Sequence, residues 1–348
     1  MSKYSISENR AQKLEESLLQ DLEQTIAMKD DLNAEEIAAL PSDDFVLVPY
    51  NAEAAERAGY SNYSYWRSTI RMFLKNKTAV AMLVIMASLL LFTFLLPVFD
   101  PSFDPNLCHL NAAGQPIRNQ TPNAEFLFGT NAIGQDLWDK IWEGTRNSLF
   151  IGFAVAIINA VIGIAVGMIW GYIRQLDFLL TELYNVVSNI PSTIILILAT
   201  YVMSTSVKSL IIALTITGWM GMARFIRNLT LMIRDRDFNL ASRCLGTPTY
   251  RVIMKNLLPQ MVSVIMMRMA LAIPGAIGSE AFLAYIGLGL PPDVPSLGSL
   301  ANAGRDKMTI AILRYQLLIP CAFLAVVTIC FYIVGNAFAD ASDPRNHV

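Results

Sequence analysis

Residues 78–99 read TAVAMLVIMASLLLFTFLLPVF, 22 residues without a charged side chain. The hydrocarbon core of a bilayer is about 30 Å thick and takes about 20 helical residues to cross. Lipid offers no water to satisfy backbone N–H and C=O groups, so a run of this kind reads as a membrane-spanning helix. The same reading, carried outward along the chain, marks five more runs at 148–172, 184–203, 207–225, 261–290 and 316–338. The expected fold is an all-α membrane protein with about six transmembrane helices.

Composition points the same way. The 348 residues are 54% hydrophobic and 16% charged, with a mean hydropathy of +0.44; soluble chains carry roughly 25% charged residues. The balance of 26 basic and 28 acidic side chains hides a split, because residues 1–60 hold 5 basic and 13 acidic ones. An acidic extension, taken as 1–66, thus precedes a mildly basic membrane body. Within it Leu14, Leu18, Leu22 and Ile26 recur every four residues as on an amphipathic surface helix. Asn33 and Glu36 resemble a capping box for a second short helix. The polar, acidic start does not have the pattern of a cleavable signal peptide. No basic cluster on a polar fold suggests nucleic-acid binding. The cysteines at 108, 244, 321 and 330 lack metal-ligand spacing, and no disulfide is expected. With only His109 and His347 in the chain, neither a histidine metal site nor a catalytic triad is expected.

Lys and Arg near span ends set the orientation. Arg67, Arg71, Lys75 and Lys77 precede the first run, which places the N-terminus inside. The loop 100–147 is poor in basic residues and belongs outside, whereas 224–256 carries Arg224, Arg227, Arg234, Arg236, Arg243, Arg251 and Lys255 and belongs in the cytoplasm. Six spans then return the C-terminus to the inside. The divisions read as 1–66 extension, 67–147 first span and outer loop, 148–340 core with loop 234–259, and 341–348 cytoplasmic end. Gly163, Gly167 and Gly171 give one helix a close-packing face. Pro191 and Pro274 interrupt backbone bonding within two spans, which is tolerated where protein or a wet cavity re-satisfies it.

The stretch with the most chemical content is Arg236-Asp237-Phe238-Asn239-Leu240-Ala241-Ser242-Arg243-Cys244-Leu245-Gly246, followed by Leu258-Pro259. It reads as a short helix, a glycine turn and a second short helix stopped by proline. Basic, amphipathic and set between two spans, it is a plausible knob for a soluble partner.

That stretch resembles the EAA loop of ABC importer permeases, in which Glu-Ala-Ala is followed by Gly and later Leu-Pro. Leu240 stands where Glu is usual and Ser242 where the second Ala is usual, with Ala241 retained. Four further segments narrow the resemblance to dipeptide, oligopeptide and nickel permeases: Phe128-Gly129-Thr130-Asn131 with Gly134-Gln135-Asp136; Gly278-Ser279-Glu280-Ala281 through Ile286–Pro292 and on to Pro295-Ser296-Leu297-Gly298; Asp343-Pro344-Arg345; and Asn76-Lys77. Together they cover roughly 67–345 and fit the C-type partner of an oligopeptide permease pair. The resemblance implies a type I importer transmembrane domain in a bacterial inner membrane, a non-catalytic subunit working with a second homologous permease, two ATPase subunits and an extracellular substrate-binding protein. The 234–259 loop would dock on the ATPases. The chain has no GxxxxGK[ST] phosphate loop, so ATP and Mg would be bound by those partners and no cofactor by this chain.

Arg268 and Glu280 are ionisable residues inside an expected span, where a charge costs about 2.5–3.5 kcal/mol on insertion scales and usually faces a cavity or a partner. With Asn189, they are the candidates for lining a translocation path. Arg268 could instead snorkel or pair with the other permease, Glu280 could serve structure or gating, and Asn189 could make a helix contact. An oligopeptide is the expected substrate, with dipeptide or nickel transport as the alternative. A secondary transporter should show two related halves with interrupted helices, and no such repeat is visible. Nor is there a channel filter or charged ring.

Overall fold

Asn76 starts the first long helix: its side chain accepts a hydrogen bond from the Ala79 N–H at 3.2 Å. The computed structural model describes residues 65–203 and 205–342. The helices read around 14–26 and 33–40, the 343–345 terminus and His347 lie outside the described residues. Those described form α1 (Tyr65–Lys75), α2 (Lys77–Phe99), α3 (Leu137–Tyr172), α4 (Arg174–Ser188), α5 (Ser192–Val202), α6 (Val207–Arg234), α7 (Asp237–Cys244), α8 (Thr249–Tyr285), α9 (Leu297–Arg305) and α10 (Tyr315–Ser342). Five helices are long and apolar enough to cross a membrane, or six if α4 and α5 together count as one.

Several expectations need correcting. The run 184–203 is not one helix: α4 and α5 meet at a 77° bend. Pro191 has no N–H, and the residue before a proline is driven out of helical geometry. Pro274 nevertheless sits inside an unbroken α8. The difference is packing, because Ile273, Ala276 and Ile277 are buried in the bundle while Asn189, Ile190 and Pro191 are exposed. Next, the run 261–290 ends as helix at Tyr285, and the chain reverses through Gly287 at φ +83°. Last, Pro259 does not stop a second short helix. Residues Val252–Leu257 form a π-helical turn in which the Leu258 N–H reaches back to the Ile253 carbonyl. That widened turn carries the helix past Pro259 without needing its missing N–H, so Thr249–Tyr285 runs on as one element.

Gly163, Gly167 and Gly171 lie against α6. A Cβ on Gly171 would come within 2.7 Å of the Arg227 carbonyl oxygen, and one on Gly167 would strike the Ala223 carbonyl. Backbone contact this close is what small residues permit between membrane helices. Beside this seam Met168, Ile226, Val252, Leu257, Met261 and Ile265 weld α3, α6 and α8 into one core. At mid-height Leu149, Ala156, Ile273, Ile277, Val327 and Phe331 join α3, α8 and α10. α2 leans on the outside and leaves Val84, Leu91 and Phe94 exposed, as a lipid-facing helix does. α4 is held to α6 by a two-pronged ion pair, Arg227 to Asp177 at 2.6 and 2.9 Å.

The segment 100–136 is a stack of side-chain-closed turns rather than a slack loop. Asn111, Asn123 and Asn131 each accept two nearby backbone N–H bonds. Gly129 and Gly134 adopt φ of +76° and +85°. Asp136 then caps α3 by accepting from the Trp138 N–H at 2.8 Å, so that helix begins eleven residues before the expected position 148. The Tyr315 hydroxyl donates to the Gln120 and Thr130 carbonyls, both at 2.8 Å, and pins the stack to α10.

Candidate functional site

One end of the bundle carries a rigid protruding knob. α6 ends at Arg234, and α7 turns back across it on a polar hinge. Asp235 is the hub: Arg234 and Arg243 each reach it at 3.1 Å and Arg174 at 3.6 Å. The hydrogen bond from Arg234, and then that from Arg243, hold the Asp235 carboxyl below the usual carboxylate range. A carboxyl lowered in the folded state stabilises above its unfolded value, and that contribution is lost as pH falls through the lowered value. The hub is therefore intact throughout neutral pH. Arg234 also donates to the Gly171 carbonyl at 2.8 Å, tying the hinge to α3. Asn239 is fully buried and donates to the Ile233 carbonyl. Ser242 accepts from Asn256 at 3.0 Å, which clips α7 to the start of α8. Gly246 closes the turn in the left-handed region at φ +75°, its N–H donating to the Arg243 carbonyl.

The other face of this knob is open. Phe238, Leu240 and Met254 are 41%, 42% and 40% exposed, and Leu245 and Tyr250 are 86% and 74% exposed. Arg236, Asp237 and Ala241 stand among them, also exposed, and Pro259 flanks the root while Leu258 is half-buried. Most of the residues singled out in the sequence are thus exposed on this knob, with Ser242 on the inner side as a clip. Sequence reading quoted Asn239 and Leu245 within the stretch without giving either a role, and it missed Asp235, Tyr250 and Met254. A polar residue between two arginines, and large apolar residues beside a glycine turn, were the available signals.

The candidates for a path do not converge. Glu280 is fully buried; the Ser296 hydroxyl donates to it at 2.5 Å and the Ser148 hydroxyl at 3.4 Å. Ser148 in turn accepts from the Leu297 N–H at 3.1 Å, so Glu280 fastens α8 to the start of α9 and to α3. Asn189 is exposed at the α4–α5 bend. Arg268 is exposed on α8, with its guanidinium 4.3 Å from the centre of the Phe225 ring. It lines a cavity of about 180 Å³ with Asn159, Gly218 and Gly221. A neighbouring cavity of about 370 Å³ shares Gly218 and adds Thr193, Thr217, Gly275, Gly278 and Ser279. Hydroxyls and bare backbone thus run along the α6–α8 groove at membrane depth. Asn159 was missed in the sequence, although an amide inside an apolar run was a visible signal.

The family described as "Binding-protein-dependent transport system inner membrane component" matches residues 163–348. The one described as "N-terminal TM domain of oligopeptide transport permease C" matches 64–122. The chain is 41% identical over 312 residues to the oligopeptide transport system permease protein AmiD of Streptococcus pneumoniae, covering 89% of this chain and 100% of that one. It is 32% identical to the oligopeptide permease OppC of Bacillus subtilis, over 88% of this chain and 98% of that one. It is 33% identical to the dipeptide permease DppC of the same organism, over 91% and 97%. The long apolar helices, the knob on its hub and these matches agree: the chain belongs to the family of inner membrane permease components of binding-protein-dependent ABC transport systems.

Proposed function

We propose that this chain is the permease subunit of an ATP-driven importer of oligopeptides. It works in the bacterial inner membrane beside a second homologous permease, two ATPase subunits that bind ATP and Mg, and an extracellular substrate-binding protein. Both termini and the α7 knob lie in the cytoplasm, and the chain itself performs no catalysis. The observation that carries this reading is the knob: an exposed apolar face on a base fixed by buried Asn239 and the Asp235 hub. A rigid knob passes on motion that a flexible loop would absorb. A partner that contacts it differently in two nucleotide states biases the spans between two arrangements. Gentle detergent extraction with mass spectrometry of the copurifying chains is expected to recover a second permease and an ATPase. A chain recovered alone would overturn the reading.

The α6–α8 groove with Arg268 is the proposed path, and Glu280 acts there by holding α8 in place. In a membrane an exposed arginine whose neighbour is an aromatic ring suits a carboxylate passing beside it. Arg268→Ala is expected to lower uptake of free-acid peptides several-fold with ATPase binding unchanged. Unchanged uptake would return Arg268 to a snorkelling role. Dipeptide import is the second reading, favoured by the 33% identity to a dipeptide permease. Competition between labelled dipeptides and pentapeptides for uptake separates the two.

A further inference from the structure

The bundle end opposite the knob holds the largest of the described cavities, about 620 Å³. It lies between the turns at 131–135, the segment 287–295, α9 and the start of α10. That volume is within the range of about 300–1,000 Å³ typical of ligand pockets.

Its lining has a one-sided chemistry. Lys140 and Lys307 both line it, and no Asp or Glu does. Lys140 is only 3% exposed. Its ammonium donates to two neutral acceptors, the Asn106 side-chain oxygen at 3.0 Å and the Pro292 carbonyl at 3.3 Å. Asp293 and Asp104 lie near enough to act on it electrostatically, yet among the described residues neither lysine forms an ion pair. A buried ammonium without a paired anion is costly, and an arriving carboxylate removes that cost. Asn302 adds a second sign: its amide donates to the Ala284 carbonyl, while its buried side-chain oxygen has no partner. Amides and a hydroxyl at Asn131, Gln135 and Ser299 alternate with apolar walls at Leu290, Pro291 and Leu300.

We propose that this cavity binds the C-terminal end of a short peptide, which rests on the peptide-importer reading above. The terminal carboxylate neutralises the lysines. The Asn302 oxygen accepts a backbone N–H, and the apolar walls take side chains of any sequence. With two lysines and no acid in the lining, the cavity favours the carboxyl end of a peptide over its amino end. The site would thus sort peptides by a free C-terminus before they enter the groove.

The test is binding of radiolabelled tri-alanine, as free acid and as C-terminal amide, to the assembled importer in nanodiscs without its binding protein. The free acid is expected to bind at least tenfold more tightly than the amide. Lys307→Met and Lys140→Met are expected to bring that ratio close to one, and Arg314→Met, outside the lining, to leave it unchanged. If Lys140→Met is not recovered folded, Lys307→Met decides alone, because that side chain is only partly buried. Equal binding of acid and amide, or a ratio kept in Lys307→Met, overturns the inference. ATP-driven uptake with the binding protein present is read separately. Uptake of peptides without carboxylate selectivity refutes this site alone, and absence of peptide uptake refutes the importer reading.

Discussion

Replacing Leu245 with aspartate is expected to leave the chain folded in the membrane while cutting ATP-driven uptake to under about a tenth, by loss of an apolar anchor at the ATPase contact. Leu245 is 86% exposed at the tip of the knob, and surface changes of this kind alter folding stability by only about 0.5 kcal/mol. An interface anchor contributes about 2 kcal/mol or more, and an aspartate there would also have to leave water. Affinity for the ATPase should fall roughly 30-fold or further. The paired measurement is thermal stability of the purified chain beside retention of the ATPase on it. Loss of both would mean that Leu245 serves the fold, and loss of neither would remove α7 from the docking surface. Leu240, 42% exposed on the same knob, is expected to behave alike. Leu240 is an apolar side chain where the resembled family usually carries an acid.

Glu280→Ala is expected to destabilise the chain by about 2–4 kcal/mol, through a buried void and hydroxyls left without their acceptor. Ser296 sits at the start of α9 in a reciprocal capping pair with Ser299, and its hydroxyl donates to Glu280. Without the carboxylate that hydroxyl loses its acceptor, and the junction of α3, α8 and α9 loosens. Glu280→Gln keeps an acceptor oxygen of the same reach and is expected to stay within about 1 kcal/mol of the unaltered chain. Unfolding midpoints in one detergent compare the two. An alanine variant as stable as the original, yet inactive in uptake, would instead put Glu280 on the path.

The cap on the far end shows a different degree of legibility. Phe128-Gly129-Thr130-Asn131 and Gly134-Gln135-Asp136 were recognisable as a motif, and their local chemistry follows from the residues. Glycines supply positive φ, Asn131 closes a turn, and Asp136 caps a helix. What the motif encloses was not readable, because Lys140 on α3 meets Asn302 on α9 and Lys307 in the turn after it, from far along the chain.

Length and apolarity along the chain by themselves determined that the protein is helical and membrane-embedded, since lipid permits a continuous apolar run almost no other form. The Gly163–Gly167–Gly171 spacing likewise announced a close-packing face, because helical period puts the three on one side. Tertiary structure decided the rest. It broke the chain at Pro191 but not at Pro274, since only the latter is enclosed by packed neighbours. It turned Glu280 from a free charge at membrane depth into a buried fastening by bringing Ser148 and Ser296 to it from 132 and 16 residues away. Hydropathy depends on each residue and its near neighbours, whereas the surroundings of a buried polar group are set by segments far apart in the chain.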